Sequence, residues 1–341
     1  MKAARLHDGA TKLVIEELPD PKPRPGAAVV RLQSAFMSAS LAGVVRGTSH
    51  YQTPLRPFTP GMDAVGTVAS LGEGVSGLKV GDPVYCDSYI EEARADGTGE
   101  NAFAGYFALT GGAGPLLAAW PNGTLATHIE LPAECLTNVA PALRRTSADT
   151  LSRLGWLGTA HAAFTKTGFQ PGGTVAVLGA TGLLGVSTVL VALAMGAAKV
   201  IAVGRSADRL RALQGLDPRV EIATELKGRP QSVDLAIQAA SDGAELIEDA
   251  LPALRRYGAL VILASTSRPP ALAGLLLRDI TVRYSLWFAR KAPSQIVQMI
   301  ASGALDLSRI TSETFPLDRV DEAIAACGKP AAPFTQVVVR C

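Results

Sequence analysis

The stretch VAVLGATGLLG, residues 175–185, decides the fold of the second half of this chain. Its apolar run, Val175 to Leu178, reads as a buried strand. Gly179, Gly182 and Gly185 follow in a G-x-x-G-x-x-G spacing that opens an apolar helix, LLGVSTVLVALAMGA. A strand, a glycine turn and a helix in that order form a cradle for a phosphate. Gly179 allows the tight turn, Gly182 lets the backbone approach a pyrophosphate, and Gly185 lets the helix pack close to the strand. Thr181, Leu183 and Leu184 complete the cradle, and the helix N-terminus offers free N–H groups and a partial positive charge. The bland alternative is an ordinary glycine-rich turn; the complete βαβ unit that follows argues against it.

The next strand ends in VIAVGRS, residues 200–206. A site for NAD places an acid at this point, where it accepts hydrogen bonds from the ribose hydroxyls. Here Gly204, Arg205 and Ser206 follow the strand, with Arg209 one turn into the next helix. Without a carboxylate there is no repulsion toward a 2′-phosphate, and a guanidinium can bind one with two aligned hydrogen bonds. The expected cofactor is therefore NADPH. As alternatives, Arg205 is a surface arginine and Ser206 an ordinary helix cap.

The alternation continues outward. KVIAVG, VEIA, VDLAIQAA and ALVILAS read as strands, and SADRLRALQGL and AELIEDALPALRRYG as helices. Successive strand–helix–strand units give parallel strands with crossover helices, a doubly wound α/β domain. Ligands of such sheets bind at the strand carboxyl ends, which adds Ser241, beside Gln238, and Ser265 and Thr266 to the cofactor candidates. Residues 1 to about 135 read differently, as short strands (AAVVRLQSA, AVGTVASLG) broken by Gly and Pro, a small β-rich barrel. The Gly-rich run 91–124 reads as a long loop with one short helix, either a dimer contact or a lid. APSQIVQMIASGAL and FPLDRVDEAIAACGK read as helices and FTQVVVRC as a last strand that rejoins the first domain. The expected division is 1–149 with 289–341, and 150–288.

The bulk composition narrows the class. Of 341 residues, 48% are hydrophobic and 18% charged, which is a globular composition. With 32 basic and 30 acidic residues, the net charge of +2 offers no large nucleic-acid surface. The longest apolar stretch, 189–198, is too short to span a bilayer. No signal-peptide core opens the chain, and Cys86, Cys135, Cys327 and Cys341 have no C-x-x-C spacing, so a cytoplasmic protein with reduced thiols is expected.

With these residues in place, the chain resembles the medium-chain dehydrogenase/reductase superfamily, in its zinc-independent, quinone-oxidoreductase-like branch. The resemblance covers nearly the whole chain. It is carried by PGMDAVGTVASLGEGVSGLKVGDPVY (60–85), NGTLATHIELP (122–132), LGTAHAAF (157–164) and PGGTVAVLGATGLLG (171–185). It implies a GroES-like β-rich domain, a Rossmann domain, a substrate cleft between them and, commonly, a homodimer. Zinc-dependent relatives carry a Cys where this chain has Ser38, His-Glu where it has Met62-Asp63, and a third ligand near Gly155. Ser, Met and Gly do not make a tetrahedral zinc site, and the four-cysteine structural lobe is absent too, so no metal is expected.

A zinc-free reductase must steady the negative charge that develops on a carbonyl oxygen and then supply a proton. Members of the branch often place Asn at the Ser38 position and Tyr at the Gly43 position; this chain has neither. The pocket candidates are Ser38, His50, Tyr51 and Thr159, the last matching a family Thr. Each has a bland alternative: Ser38 a cap, His50 and Tyr51 a polar surface loop, Thr159 a backbone contact. The favoured function is NADPH-dependent reduction of a small apolar quinone, enone or related carbonyl compound in the cleft. An imine or aldehyde reductase, and an NADPH-binding protein with little turnover, are the alternatives.

Overall fold

Ten-residue AAVVRLQSAF forms the longest strand among the described residues, buried at eight of its positions. The structure, a computed structural model, describes residues 1–93, 99–271, 275–329 and 332–341. It divides into Met1–Gly155 with Ile310–Ala331 and Thr335–Cys341, and Trp156–Arg309 with Ala332–Phe334.

In the first unit, β1 (Lys2–Arg5) and β2 (Val14–Glu17) form a small antiparallel pair. The long strand is β3 (Ala27–Phe36), followed by the short helix α1 (Leu41–Arg46). β4 (Ala64–Leu71) runs antiparallel along one edge of β3, and β5 (Pro83–Cys86) along the far edge of β4. The run 91–124, which reads as a long loop with one short helix, does hold one short helix but also contributes strands. β6 (Tyr89–Ala93), β7 (Gly99–Phe103) and β8 (Phe107–Ala108) make a separate three-stranded lobe, closed by α2 (Gly114–Ala119). Residues 94–98 of that run lie outside the described residues. β9 (His128–Pro132) pairs with the first half of β3, and β10 (Leu136–Asn138) with β5. Two short helices follow, α3 (Ala140–Leu143) and α4 (Ala148–Leu151).

The second unit begins within α5 (Leu154–Thr165). Its sheet holds β11 (Thr174–Leu178), β12 (Lys199–Val203), β13 (Val220–Ala223), β14 (Val233–Gln238), β15 (Leu254–Ile262) and β16 (Thr281–Tyr284). The spatial order is β13-β12-β11-β14-β15-β16, parallel throughout, as a doubly wound sheet requires. Its interior includes Ile201, Val203, Ala236, Leu260 and Ile262, all at most 2% exposed. α6 (Leu183–Ala194), α7 (Ala207–Leu210) and α8 (Ala244–Ala250) are the crossover helices. Two are shorter than the sequence suggests. α8 stops before Pro252, and LRRYG, read as its last turns, enters β15, where pairing with β14 outweighs helical periodicity. α7 tightens into a 3₁₀ turn after Leu210.

α9 (Ala292–Ser302) packs with the second unit, whereas 289–341 was expected to belong wholly to the first. Arg309 stays with it because its guanidinium lies over Phe334 and donates to the Ala212 carbonyl. β17 (Thr311–Pro316), α10 (Val320–Cys327) and β18 (Thr335–Arg340) return to the first unit. There β18 pairs antiparallel with the end of β3.

Candidate active site

The glycine cradle forms as its spacing requires. Gly179 has φ 86°, and a Cβ on it would lie 2.5 Å from the Ala240 side chain. Its N–H and that of Ala180 both bond the Val203 carbonyl at 2.9 Å, which fastens the turn to the end of β12. Gly185 has no space for a side chain against the Gly179 carbonyl. Gly182 differs. It is the N-cap residue of α6, and a Cβ there would meet only the Gly179 oxygen, at 3.6 Å. The missing side chain at Gly182 is therefore not a packing requirement of the protein. Gly182→Ala should leave the thermal midpoint nearly unchanged yet weaken cofactor binding at least tenfold by fluorescence titration. Gly185→Ala should cost about 1–3 kcal/mol of stability through overpacking. Equal cofactor affinity in Gly182→Ala and wild type would remove the phosphate from this turn.

Around the cradle, Ser206 caps α7 by accepting the Arg209 N–H at 3.4 Å. Arg209 turns inward: its Nη2 donates to the Thr181 carbonyl at 2.9 Å. It braces the glycine turn, a use the sequence reading did not assign. Arg205 is exposed and makes no hydrogen bond among the described residues; the Asp242 carboxyl is held below its ordinary range chiefly by its hydrogen bonds from Ser267, with a smaller contribution from the Arg205 charge. Gln238 is fully buried, donates to the Ala240 carbonyl and accepts the Ala264 N–H, so it ties together the carboxyl ends of β14 and β15. The loops beyond hold Ser241, Ser265 and Thr266, and the Asp242 N–H bonds the Ser265 carbonyl at 2.9 Å. Gly204 joins the group through a bond to the Ala223 carbonyl.

The first unit assembles the other candidates. The Phe36 N–H bonds the Asp63 carbonyl at 2.8 Å, which aligns the end of β3, and Ser38 just beyond it, with the start of β4. A Cβ on Gly155 would overlap the Asp63 carboxyl. The structure therefore brings Asp63 and Gly155 together. Asp63 is 3% exposed. Tyr85 O–H donates to it, yet burial, aided by the nearby Asp87 charge, raises its pKa to about 8. Ser38 Oγ lies 2.8 Å from Ser40 Oγ, and Ser40 Oγ lies 2.9 Å from Tyr106 Oη. Tyr51 stacks on Phe107 with ring centroids 4.5 Å apart, while His50 is exposed. Thr159 is buried on α5, which enters the second unit. Among the described residues no group of three or more His, Cys, Asp or Glu could hold a metal ion.

Sequence reasoning missed Ser40, Tyr106, Tyr85 and Arg153. Ser40 was within view as the second small hydroxyl of MSAS; Tyr106 was hidden in a Gly-rich run without periodicity. Arg153 is 0% exposed, and its Nε, Nη1 and Nη2 have no hydrogen-bond partner among the described residues.

Residues 24–141 match the alcohol dehydrogenase GroES-like domain family. A Mycobacterium tuberculosis protein named "Probable zinc-binding alcohol dehydrogenase" is 30% identical over 336 residues, 93% of this chain and 83% of its own. The chain belongs to the medium-chain dehydrogenase/reductase superfamily. Its fold, a GroES-like domain with a Rossmann-like parallel-sheet domain, is shared with an Escherichia coli alcohol dehydrogenase complexed with NADH. That match has a TM-score of 0.81 and 20% identity, over 100% of this chain and 99% of the other. A Sinorhizobium meliloti protein described as a "putative zinc-binding dehydrogenase", bound to NADP, matches with a TM-score of 0.79 and 20% identity, again over 100% and 99%. The chain is thus an oxidoreductase of this superfamily. No helix among the described residues is long and apolar enough to cross a membrane.

Proposed function

We propose that this chain is an NADPH-dependent, zinc-free reductase of a small apolar quinone, enone or related carbonyl compound. The observation that carries the zinc-free part is the donor set at the three positions. Ser38 is a neutral hydroxyl, Met62 a thioether and Gly155 has no side chain, and the neighbouring Asp63 is a buried carboxyl bonded to Tyr85. One carboxyl cannot supply the thiolate, imidazole and carboxylate ligands that hold tetrahedral zinc, so no step here runs through a metal.

The cofactor fits the cradle because Gly182 leaves its turn open while Gly179 and Gly185 close the rest. The N-terminus of α6 would face the pyrophosphate, and Arg205 with the Ser206 hydroxyl would meet the 2′-phosphate. When bound, the reduced nicotinamide supplies hydride. The chain's own task is then to orient the substrate carbonyl, exclude water and hold a proton at its oxygen, for which Ser38 offers a hydroxyl. A cytoplasmic homodimer is part of this reading. β16 is an edge strand, and Tyr284 (67% exposed) and Leu286 (53%) offer a second copy an apolar border.

Titration with NADPH and NADH tests the cofactor. Loss of a charge-assisted contact costs roughly 1.5–3 kcal/mol, so Arg205→Ala should lose about ten- to a hundredfold in NADPH affinity and little in NADH affinity. Equal affinities in wild type would overturn the NADPH assignment. Turnover of cyclohexenone, benzoquinone, benzaldehyde and a cyclic imine then ranks the substrate classes, and binding without any turnover favours a cofactor-binding role.

A further inference from the structure

The segment 6–13 between β1 and β2 meets two short helices of the same unit, α1 and α10, around a trough of about 530 Å³. That volume lies within the range of small-molecule sites. The trough exists because small side chains line it. Ala42 on α1 and Ala325 on α10 offer only methyl groups, and the buried Val45 and Ile324 form its floor. Its third wall is fastened at both ends. Arg56 Nη1 donates to the His7 carbonyl at 3.0 Å and to the Ala10 carbonyl at 2.9 Å, which fixes the start of the segment. The Leu13 N–H donates to Asp321 Oδ1 at 3.5 Å, which ties its end to α10. Lys12 is thereby held at the rim, where Arg46, in the last turn of α1, also stands. Both are exposed, and neither has an ion-pair partner among the described residues. An arginine is ordinary at a helix C-terminus. That helix does not explain a second unpaired cation on the rim of an apolar trough. The lining carboxylate, Asp321, leaves the two cations in excess.

We propose that this trough is a binding site, distinct from the glycine cradle, for a small amphiphilic anion: a carboxylate on an unbranched acyl chain. The chain displaces water from the methyl groups of Ala42, Val45, Ile324 and Ala325. The carboxylate meets Lys12 and Arg46, and a guanidinium can hold it with two aligned hydrogen bonds. Buried methylenes supply most of the affinity. The exposed cations are screened by solvent, and they select an anion over a neutral amphiphile of the same length. The occupant is the free acid rather than a lipid surface. The trough is concave and its rim carries two cations, whereas a lipid-binding face gathers about four to eight. None of this depends on the reductase reading, and it survives that reading's failure.

Isothermal titration of the full chain with hexanoate, octanoate and decanoate, each below its micelle concentration, is the test. Binding should be saturable at a single site, and each added methylene should tighten it about two- to fourfold. Acetate should not bind, and octanol should bind at least about threefold more weakly than octanoate. Lys12→Gln and Arg46→Gln should each lose about two- to fivefold in octanoate affinity, as exposed charges do. Ala325→Phe places a ring in the trough from an exposed helix position, and it should abolish binding while the thermal midpoint stays near that of wild type. Wild-type octanoate affinity in Ala325→Phe, or in the Lys12→Gln, Arg46→Gln double variant, ends the proposal. So does equal affinity for octanol and octanoate. A chain that shows no saturable octanoate binding also ends it, and sedimentation with phosphatidylglycerol vesicles in that case would make this face a membrane contact instead.

Discussion

Asp63→Asn should abolish a fall in stability that wild type shows as pH rises from about 4 to about 8. Burial raises the folded-state pKa of Asp63 from 3.8 to about 8, against the opposing pull of the Tyr85 hydrogen bond and with help from the Asp87 charge. Between those two values the unfolded chain has released the Asp63 proton and the folded chain still holds it. The folded state binds more protons, so stability falls with rising pH across that window and levels off above the folded pKa. Each pH unit of separation corresponds to about 1.4 kcal/mol, so the whole window is worth on the order of 5 kcal/mol. Asparagine has nearly the same shape, keeps an oxygen for the Tyr85 hydroxyl and never ionises. Urea midpoints at pH 5 and pH 8 are the measurement. Wild type should lose stability between them relative to Asp63→Asn, and the variant should be the more stable protein at pH 8. Parallel pH profiles would mean that Asp63 is already ionised in the folded protein, with a cation beside it. That outcome would return the metal to consideration, because a bound divalent ion is what holds a buried carboxylate ionised in zinc-dependent enzymes.

The parts of this molecule that were legible in the sequence are those where a residue type has one physical use. Gly179 and Gly185 could be read from spacing alone because a turn with positive φ and a close helix approach both exclude a side chain. The parallel strands were legible because a central strand is apolar on both faces. LRRYG was misread because its charges fit an exposed helix as well as the solvent end of β15, and only pairing with β14 distinguishes them. The lobe at 89–108 was misread for a related reason. β7, GENAF, buries only its last two residues, so it carries no alternation to read. The site suffered most where its residues act through partners distant in sequence. Ser40 lies 66 residues from Tyr106, and Tyr85 lies 22 from Asp63. The brace that Arg209 gives the turn was illegible because its bond to the Thr181 carbonyl exists only once the turn is folded.

Arg153 was illegible for the opposite reason: a charged residue in LSRLGWLG is expected at the surface, and here it is not. Its burial leads to the second large expected effect. Arg153→Met should stabilise the protein by about 2–4 kcal/mol. The guanidinium is completely buried, and the loss of solvent pulls its pKa down only to about 10, so it remains charged at neutral pH. None of its three nitrogens has a partner among the described residues. The carboxylate nearest in sequence, Asp149, is already engaged by Ser34 and Arg340. An uncompensated buried charge costs about 3–5 kcal/mol. Methionine fills much of the same volume with no charge and adapts to an irregular space, so most of that cost should be recovered, less a small packing loss. Thermal and urea unfolding of the two proteins at neutral pH and low salt checks this. If Arg153→Met is instead less stable than wild type, the guanidinium has a counter-ion in solution. Repeating the comparison across chloride, phosphate and acetate then identifies it, since an anion that binds the folded state alone raises wild-type stability with its concentration and leaves Arg153→Met unmoved.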